Sequence, residues 1–468
     1  MLFNSWQYLI LLGATAILYW LVPVLRLRQV ILLVASAVFY MSWSVLYFWM
    51  LMGTALLHWL VTARLTHGKG KSLVHGIVGL SLLGLAYFKY ADFVLASFVA
   101  AKELVGLRVD AHQPSNIVLP LAISFYVFQL IAYTVDVLRG KAEHEKDLVV
   151  FLLFSCFFPH LIAGPICRTW NLLPALKKLH EFDSRKVYDG AFFFLSGFFL
   201  KTGVADNLAP YVGNIFGAPS SYSGFDCLFG GTIGFGLQIY CDFWGYSLMA
   251  LGSSLILGIS LPYNFNSPYV ATSMQDFWHR WHMTLSTWLR DYLYIPLGGN
   301  RLGRWKTYRN LLLTMVLGGL WHGANWTFVV WGAIHGIALV IEKFFREAFP
   351  SSSPDKGGSR WSPLGWLVTM VVVFTAWIFF RATNVLEAFE MISRIILVTE
   401  GWTASRLDAR FWEVVAFFIP IHFVVHRLTY KASLAAQPAW RGYVAIPFLG
   451  ALSLIFYVSG GDFIYFQF

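Results

Sequence analysis

"NLLLTMVLGGLWHGANWTFVVWGAIHGIALV", from Asn310 to Val340, decides how this chain is to be read. Two apolar runs flank a polar centre that holds Gly318, Gly319, His322, Gly323 and Asn325. So apolar a stretch belongs in hydrocarbon, where ionisable groups are costly and face a bundle interior or a wet cavity. Glycines at such a place permit tight turns and close backbone approach. Asn325 can satisfy freed backbone groups or orient a ligand. On residues alone His322 has two readings, an interhelical hydrogen bond or chemistry, since a neutral imidazole is a base or nucleophile near pH 7.

Runs of the same kind extend to both sides, among them "YLILLGATAILYWLV", "IVLPLAISFYVFQLIAYTV" and "WLVTMVVVFTAWIFF". The 468 residues are 58% hydrophobic and only 12% charged, against roughly 25% charged in an ordinary soluble domain. A span needs about 20 apolar residues, which gives roughly 11 to 13 spanning or partial helices. The fold class is therefore an all-α polytopic membrane protein. Alternating ten-residue segments of the kind a β-barrel requires are absent. No linker or soluble segment interrupts residues 1–468, so one integral-membrane domain is expected. The first apolar run lacks a preceding Lys or Arg and a small-residue cleavage site, and reads as a retained span.

The net charge of +10 is concentrated in short loops. Arg26 and Arg28, the segment Arg64 to Lys71, and the segment Arg139 to Lys146 stand apart by intervals that accommodate even numbers of spans. The positive-inside rule places all three in the cytoplasm and the amino terminus outside. Topology accounts for most of this charge, with attraction of an anionic ligand as an added role, and no nucleic-acid partner is expected. The cysteines Cys156, Cys167, Cys227 and Cys241 lie in or beside apolar runs without metal-ligand spacing, so neither disulfides nor a metal site is expected.

Two other stretches depart from plain spans. "SCFFPHLIAGPICRTWNLLPALKKLHEF" breaks at Pro159, Gly164 and Pro165 and then turns basic. Non-helical backbone at membrane depth survives only inside protein or beside a wet cavity, so re-entrant segments around a central cavity are expected. "NSPYVATSMQDFWHRWHMTLSTWLRDYLYIPLGGNR", from Asn266 to Arg301, starts with a Ser273–Asp276 cap signature. Treated as one continuous helix, it places Asp276, His279, Arg280, Arg290 and Asp291 on one side and Trp278, Trp281, Trp288 and Tyr292 on the other. An Asp276–Arg280 pair is expected at i,i+4, and His282 falls at the boundary between the faces. On a continuous helix His335 would sit about 220° from His322, which favours helix packing for it; His160 beside Pro159 is likewise read as structural. No Walker, dinucleotide-binding or GxSxG pattern is present.

Several segments together resemble the membrane-bound O-acyltransferase (MBOAT) superfamily, in the bacterial exopolysaccharide branch that contains alginate O-acetylases and cellulose-acetylation proteins. They are "YFKYADF" at Tyr87, "LPLAISFYVFQLIAYTVDVLRG" at Leu119, "FFPHLIAGPI" at Phe157, "YCDFWGYSLMALG" at Tyr240, "LPYNFNSPY" at Leu261, "DFWHRWHMTLSTWLRDYLYIPLGGNR" at Asp276, "LGGLWHGANWTFVVWGAIHG" at Leu317 and the terminal "FIYFQF". The resemblance implies an MBOAT-type helical bundle in a bacterial inner membrane. It implies relay of acetyl groups from a cytoplasmic donor, acetyl-CoA, toward O-acetylation of an exopolysaccharide. The family's catalytic histidine maps to His322 and its second signature histidine to His282, which would orient substrate or shuttle a proton. Arg280, Arg290, Asp291, Asn325, Asp242 and Tyr246 are the candidate contacts to substrate or donor, with Arg301 and Arg304 as further phosphate attractors.

The implied partners are a periplasmic SGNH-type acetyltransferase, the polysaccharide synthesis and secretion complex, and membrane lipids. Where relatives commonly read "DFSGYSDMA", this chain has Trp244 and Leu248 in place of the serine and the aspartate. Two other readings remain: a lipid or glycan transporter, which would show inverted repeats, and acyl transfer from a carrier protein as in teichoic acid D-alanylation.

Overall fold

The computed structural model describes residues 1–65, 70–107, 117–162, 164–349, 362–397, 405–426 and 439–458, and all its regular elements are helical. Lys69 of the second basic loop and the terminal "FIYFQF" lie outside the described residues. Two compact units emerge, one of residues 1–191 and 250–262, the other of residues 192–249 and 263–468.

The first unit begins with α1 (Trp6–Leu21), α2 (Leu25–Met41), α3 (Val45–Ala63) and α4 (Lys71–Leu104), followed by α5 (Ile123–Leu138), α6 (Leu148–Cys156), α7 (Thr169–Leu176) and the start of α8 (Ser184–Phe199). The second continues through a π-helical turn, Leu200–Ala205, into α9 (Asp206–Gly217), then α10 (Gly224–Asp226), a second π segment and α11 (Gly234–Ile256). After α11 come α12 (Met274–Arg280) and α13 (Met283–Leu289), a third π turn at Arg290–Tyr294, then α14 (Arg304–His322) and α15 (Trp326–Ala348). α16 (Pro363–Arg381), α17 (Val385–Leu397), α18 (Ala409–His426) and α19 (Ala439–Ile455) complete the described chain. By length and hydropathy α3, α4, α15 and α16 can each cross a membrane, and α1 and α5 are shorter apolar helices. The protein is an all-α, multi-pass membrane bundle.

In the first unit the basic loops gather at one end. Arg26, at the start of α2, pairs with Asp147 at 2.7 Å, while the Trp59 indole near the end of α3 donates to the Glu145 carbonyl at 2.7 Å. Thr62 meets His144 at 3.1 Å. Burial pushes the Asp147 carboxyl up, but hydrogen bonds from Arg26 and from the first N–H groups of α6 outweigh it and hold the group below the usual carboxylate range. With all that positive charge at one end, the positive-inside rule orients the unit. A Ser72→Cys probe beside this end should be labelled by an impermeant reagent only from the cytoplasmic side, in a background where the buried native cysteines are replaced. Labelling from the periplasm overturns the orientation.

Sequence reading places Pro159 and His160 in a break, and the structure ends α6 at Cys156 just before them. His160 is fully engaged: one ring nitrogen meets the Phe157 carbonyl at 2.8 Å and the other the Gln129 amide at 3.0 Å. His58 is similarly held between Thr134 at 2.6 Å and Ser81 at 2.9 Å.

Candidate functional site

The segment around His322 is a helical hairpin. α14 ends at His322, Gly323 is extended, and Asn325 caps α15 by accepting from the Thr327 N–H at 3.0 Å. The glycines act through space rather than through a left-handed turn. A Cβ on Gly319 would be driven into the Phe328 carbonyl, one on Gly332 into the Met315 carbonyl, and one on Gly323 into the Phe328 ring. The two helices thus cross backbone to backbone, which fixes His322 at the turn of the hairpin.

His322 is buried at 4% exposure. Its ring packs against Trp321 at 4.9 Å, Trp331 at 5.2 Å and Phe380 at 5.2 Å between centroids. His335 lies on the returning helix, and its ring is 4.7 Å from the same Trp331 indole. The 220° separation expected on one continuous helix does not apply, because the break at Gly323 folds α15 back on α14.

The stretch from Asn266 to Arg301 is also not one helix. Ser273 caps α12 through the Asp276 N–H at 3.1 Å, and Arg280 pairs with Asp276 at 2.8 Å, both as the spacing predicts. At His282 the backbone turns left-handed, with φ 40 and ψ 55, and α13 begins on the next residue. The break is imposed by "LPYNFNSPY". The Met283 N–H donates to the Asn264 carbonyl at 2.8 Å and the Asn266 N–H to the Arg280 carbonyl at 2.9 Å, bracketing the turn. The Asn264 side chain donates to Ser247 at 3.1 Å and accepts from Thr284 at 2.6 Å.

The helical-wheel reading therefore gives way. His282 does not ride a face boundary but sits in the turn, fully buried, edge-on to Phe243 at 4.7 Å and 6.1 Å from Trp321. One indole, Trp321, touches both signature histidines. Asn264→Ala removes one hydrogen bond from each of two buried hydroxyls, and about 0.5–1.5 kcal/mol per bond is expected to be lost. A lowered Tm of the purified protein would register this, and an unchanged Tm would count against the bracket.

Beside this core lies a cleft of about 350 Å³ whose lining includes Trp278, His279, Arg290, Glu342, Lys343 and Arg346. Arg290 is paired with Asp291 at 2.8 Å, Lys343 with Glu347 at 3.1 Å, and Arg346 with Glu342. Of the other expected contacts, Arg280 is taken up by Asp276 and the Asn266 carbonyl. Asn325 spends its amide on capping and on the Thr383 carbonyl at 2.8 Å.

Asp242 and Tyr246 lie elsewhere on α11. Lys201 is buried between Asp242 at 2.8 Å and Asp206 at 2.7 Å, with its ammonium 5.9 Å from the Tyr246 ring centre. The π turn makes this possible, since i→i+5 winding stacks residues five apart and the Asp206 N–H donates to the Lys201 carbonyl. Sequence reading missed Lys201 and Asp206; the available signal was a lysine in an apolar run. Trp244 is buried and stacks on Tyr240 at 5.1 Å, while Leu248 is buried in the core. Both positions are thus apolar filling in this chain.

A helical membrane bundle with two histidines buried against one tryptophan, beside a cation-lined cleft, has the makings of an intramembrane transferase. The profile of the MBOAT, membrane-bound O-acyltransferase family, matches residues 32–389. The sequence is 40% identical over 399 residues to the "Probable alginate O-acetylase AlgI" of Azotobacter vinelandii, covering 84% of this chain and 77% of that one. It is 39% identical over 390 residues to the protein of the same name from Pseudomonas putida, covering 82% and 77%. To the "Peptidoglycan O-acetyltransferase" of Helicobacter pylori it is 36% identical over 401 residues, covering 78% and 73%. The chain belongs to the membrane-bound O-acyltransferase family, in its alginate O-acetylase branch, and is a membrane acyltransferase.

Proposed function

We propose that the protein relays acetyl groups from cytoplasmic acetyl-CoA across a bacterial inner membrane for O-acetylation of an exopolysaccharide. The observation that carries this reading is the placement of His282 and His322 against one indole, in the unit that also holds the cation-lined cleft. CoA bears several phosphate charges and is prohibitively costly to move through hydrocarbon, whereas an acetyl group is small and neutral. A site reached by the thioester on one side and by an acceptor on the other solves this without moving the donor. Arg290, Lys343 and Arg346 attract the donor's phosphates.

His322 acts at the carbonyl. As base it takes the proton of an acceptor hydroxyl while the oxygen attacks the acetyl carbon, the C–S bond breaks, and the CoA thiolate leaves to be reprotonated. As nucleophile it takes the acetyl group itself, releases CoA, and passes the group on in a second step. His282 orients the reacting groups. The acceptor chemistry is an alcohol of alginate or cellulose, acetylated through a periplasmic SGNH-type partner. The names of the relatives, two alginate O-acetylases and a peptidoglycan O-acetyltransferase, support a cell-surface glycan.

The test is transfer of radiolabelled acetyl from acetyl-CoA by membranes containing the protein and its partner. Label should appear in the partner and the polymer; labelled thioester consumed equally in membranes lacking the protein would refute the reading. Label trapped on the protein without acceptor, and absent in a His322→Ala variant, selects the two-step course.

A further inference from the structure

Among the described residues six histidines are buried, and two of them, His282 and His335, have neither ring nitrogen hydrogen-bonded to another described residue. His58 and His160 have both ring nitrogens engaged by hydroxyl, carbonyl or amide groups. His335 is fully buried on α15, and neither its Nδ1 nor its Nε2 has a hydrogen-bond partner among the described residues. Rings surround it instead. Phe277 is stacked at 6.0 Å, Trp278 stands edge-on at 5.2 Å, and Trp331 lies at 4.7 Å.

An imidazole offers a donor and an acceptor, and leaving both unmade forfeits the full desolvation of two polar atoms. Phenylalanine or leucine would fill such an apolar cage without that cost. The position also has a direction. Trp278, on one side of His335, is a wall of the cationic cleft, and Trp331, on another, is the indole that also packs against His322. His335 thus stands between the cleft and the histidine at the hairpin turn.

We propose that His335 is a donor-contacting residue, its ring N–H donating a hydrogen bond to a carbonyl oxygen of the acyl thioester when the donor's chain passes Trp278 toward His322. This rests on the donor reading above, with the phosphates held by the cleft's cations, and adds the group that recognises the donor's uncharged end.

The probe is an acetyl-CoA analogue in which a methylene replaces the thioester sulfur: it keeps the carbonyl but transfers nothing. Its binding is measured by calorimetry on the purified protein, with Tm recorded in parallel. His335→Phe should bind the ketone about tenfold more weakly, the equivalent of about 1.4 kcal/mol. Its Tm should be unchanged or raised, because an unsatisfied polar pair has been removed. His335→Gln, which restores an amide N–H, should recover part of the affinity. If the phenylalanine variant fails to accumulate, His335→Leu carries the same comparison. Wild-type affinity in the apolar variant overturns the contact, as does a lowered Tm with affinity unchanged, which marks a packing histidine. No binding by the wild-type protein means that the donor reading itself fails, and this contact with it; equal binding by wild type and variant means that only the contact fails.

Discussion

Replacing His322 by alanine should abolish acetyl transfer while the protein still reaches the membrane in normal amount. The hairpin that positions the residue does not depend on it, because the crossing is made by Gly319 and Gly332 and the turn is capped by Asn325. The ring packs among Trp321, Trp331 and Phe380, so its loss leaves a small void rather than an open end. Loss of a general base costs about 10²–10⁴-fold in rate, and loss of a group that itself carries the acetyl leaves no route at all. His282→Ala should weaken transfer severely yet leave measurable turnover, since losing an orienting group divides between binding and rate. Alanine at 282 must also adopt the left-handed backbone, which glycine adopts freely. His282→Gly therefore isolates the loss of the imidazole. A dead His282→Gly beside an active His322→Ala would exchange the two roles, and full activity in both would move the chemistry elsewhere.

The second large effect is on assembly. Gly319→Val drives a side chain into the Phe328 carbonyl, and backbone cannot rotate away as a flexible side chain does. Separating α14 from α15 is the only relief, at about 3 kcal/mol or more by analogy with overpacked cores. The variant should fail to accumulate, or melt far earlier in detergent. Gly332→Val should do the same from the facing helix, against the Met315 carbonyl. Gly213→Ala is the control: nothing lies within 4 Å of its added Cβ, so the protein should tolerate it. Normal accumulation and activity of both valine variants would show that the helices do not cross at these glycines.

These elements show what was legible in the sequence. The polar interruption at His322 announced itself because Gly323 and Asn325 are residues that end and start helices. The Ser273 cap and the Asp276–Arg280 pair are local, with partners three and four residues away, and local spacing predicts them. The break at His282 carries no glycine or proline, because it is enforced by Asn264 and Asn266 from a separate segment. A wheel drawn through it therefore assigned faces that do not exist. The angle drawn between His322 and His335 was out of reach for the complementary reason, since it presumed one helix where the chain breaks at Gly323. The Lys201–Asp206 contact escaped because a five-residue spacing joins neighbours only where the helix widens.

α4 sets a dimension of the molecule. Its 34 residues rise about 51 Å at 1.5 Å each, against a hydrocarbon thickness of about 30 Å. Membrane helices tilt by up to about 40°, and at that limit a rod of this length still climbs roughly 39 Å along the normal. Tilt alone cannot hide it, so at least about 9 Å along the normal, some eight residues at that tilt, stands in the headgroup layer or beyond. The protein thus brings a fixed thickness to its surroundings, and lipids of different acyl length must adapt to α4 by stretching or compressing around it.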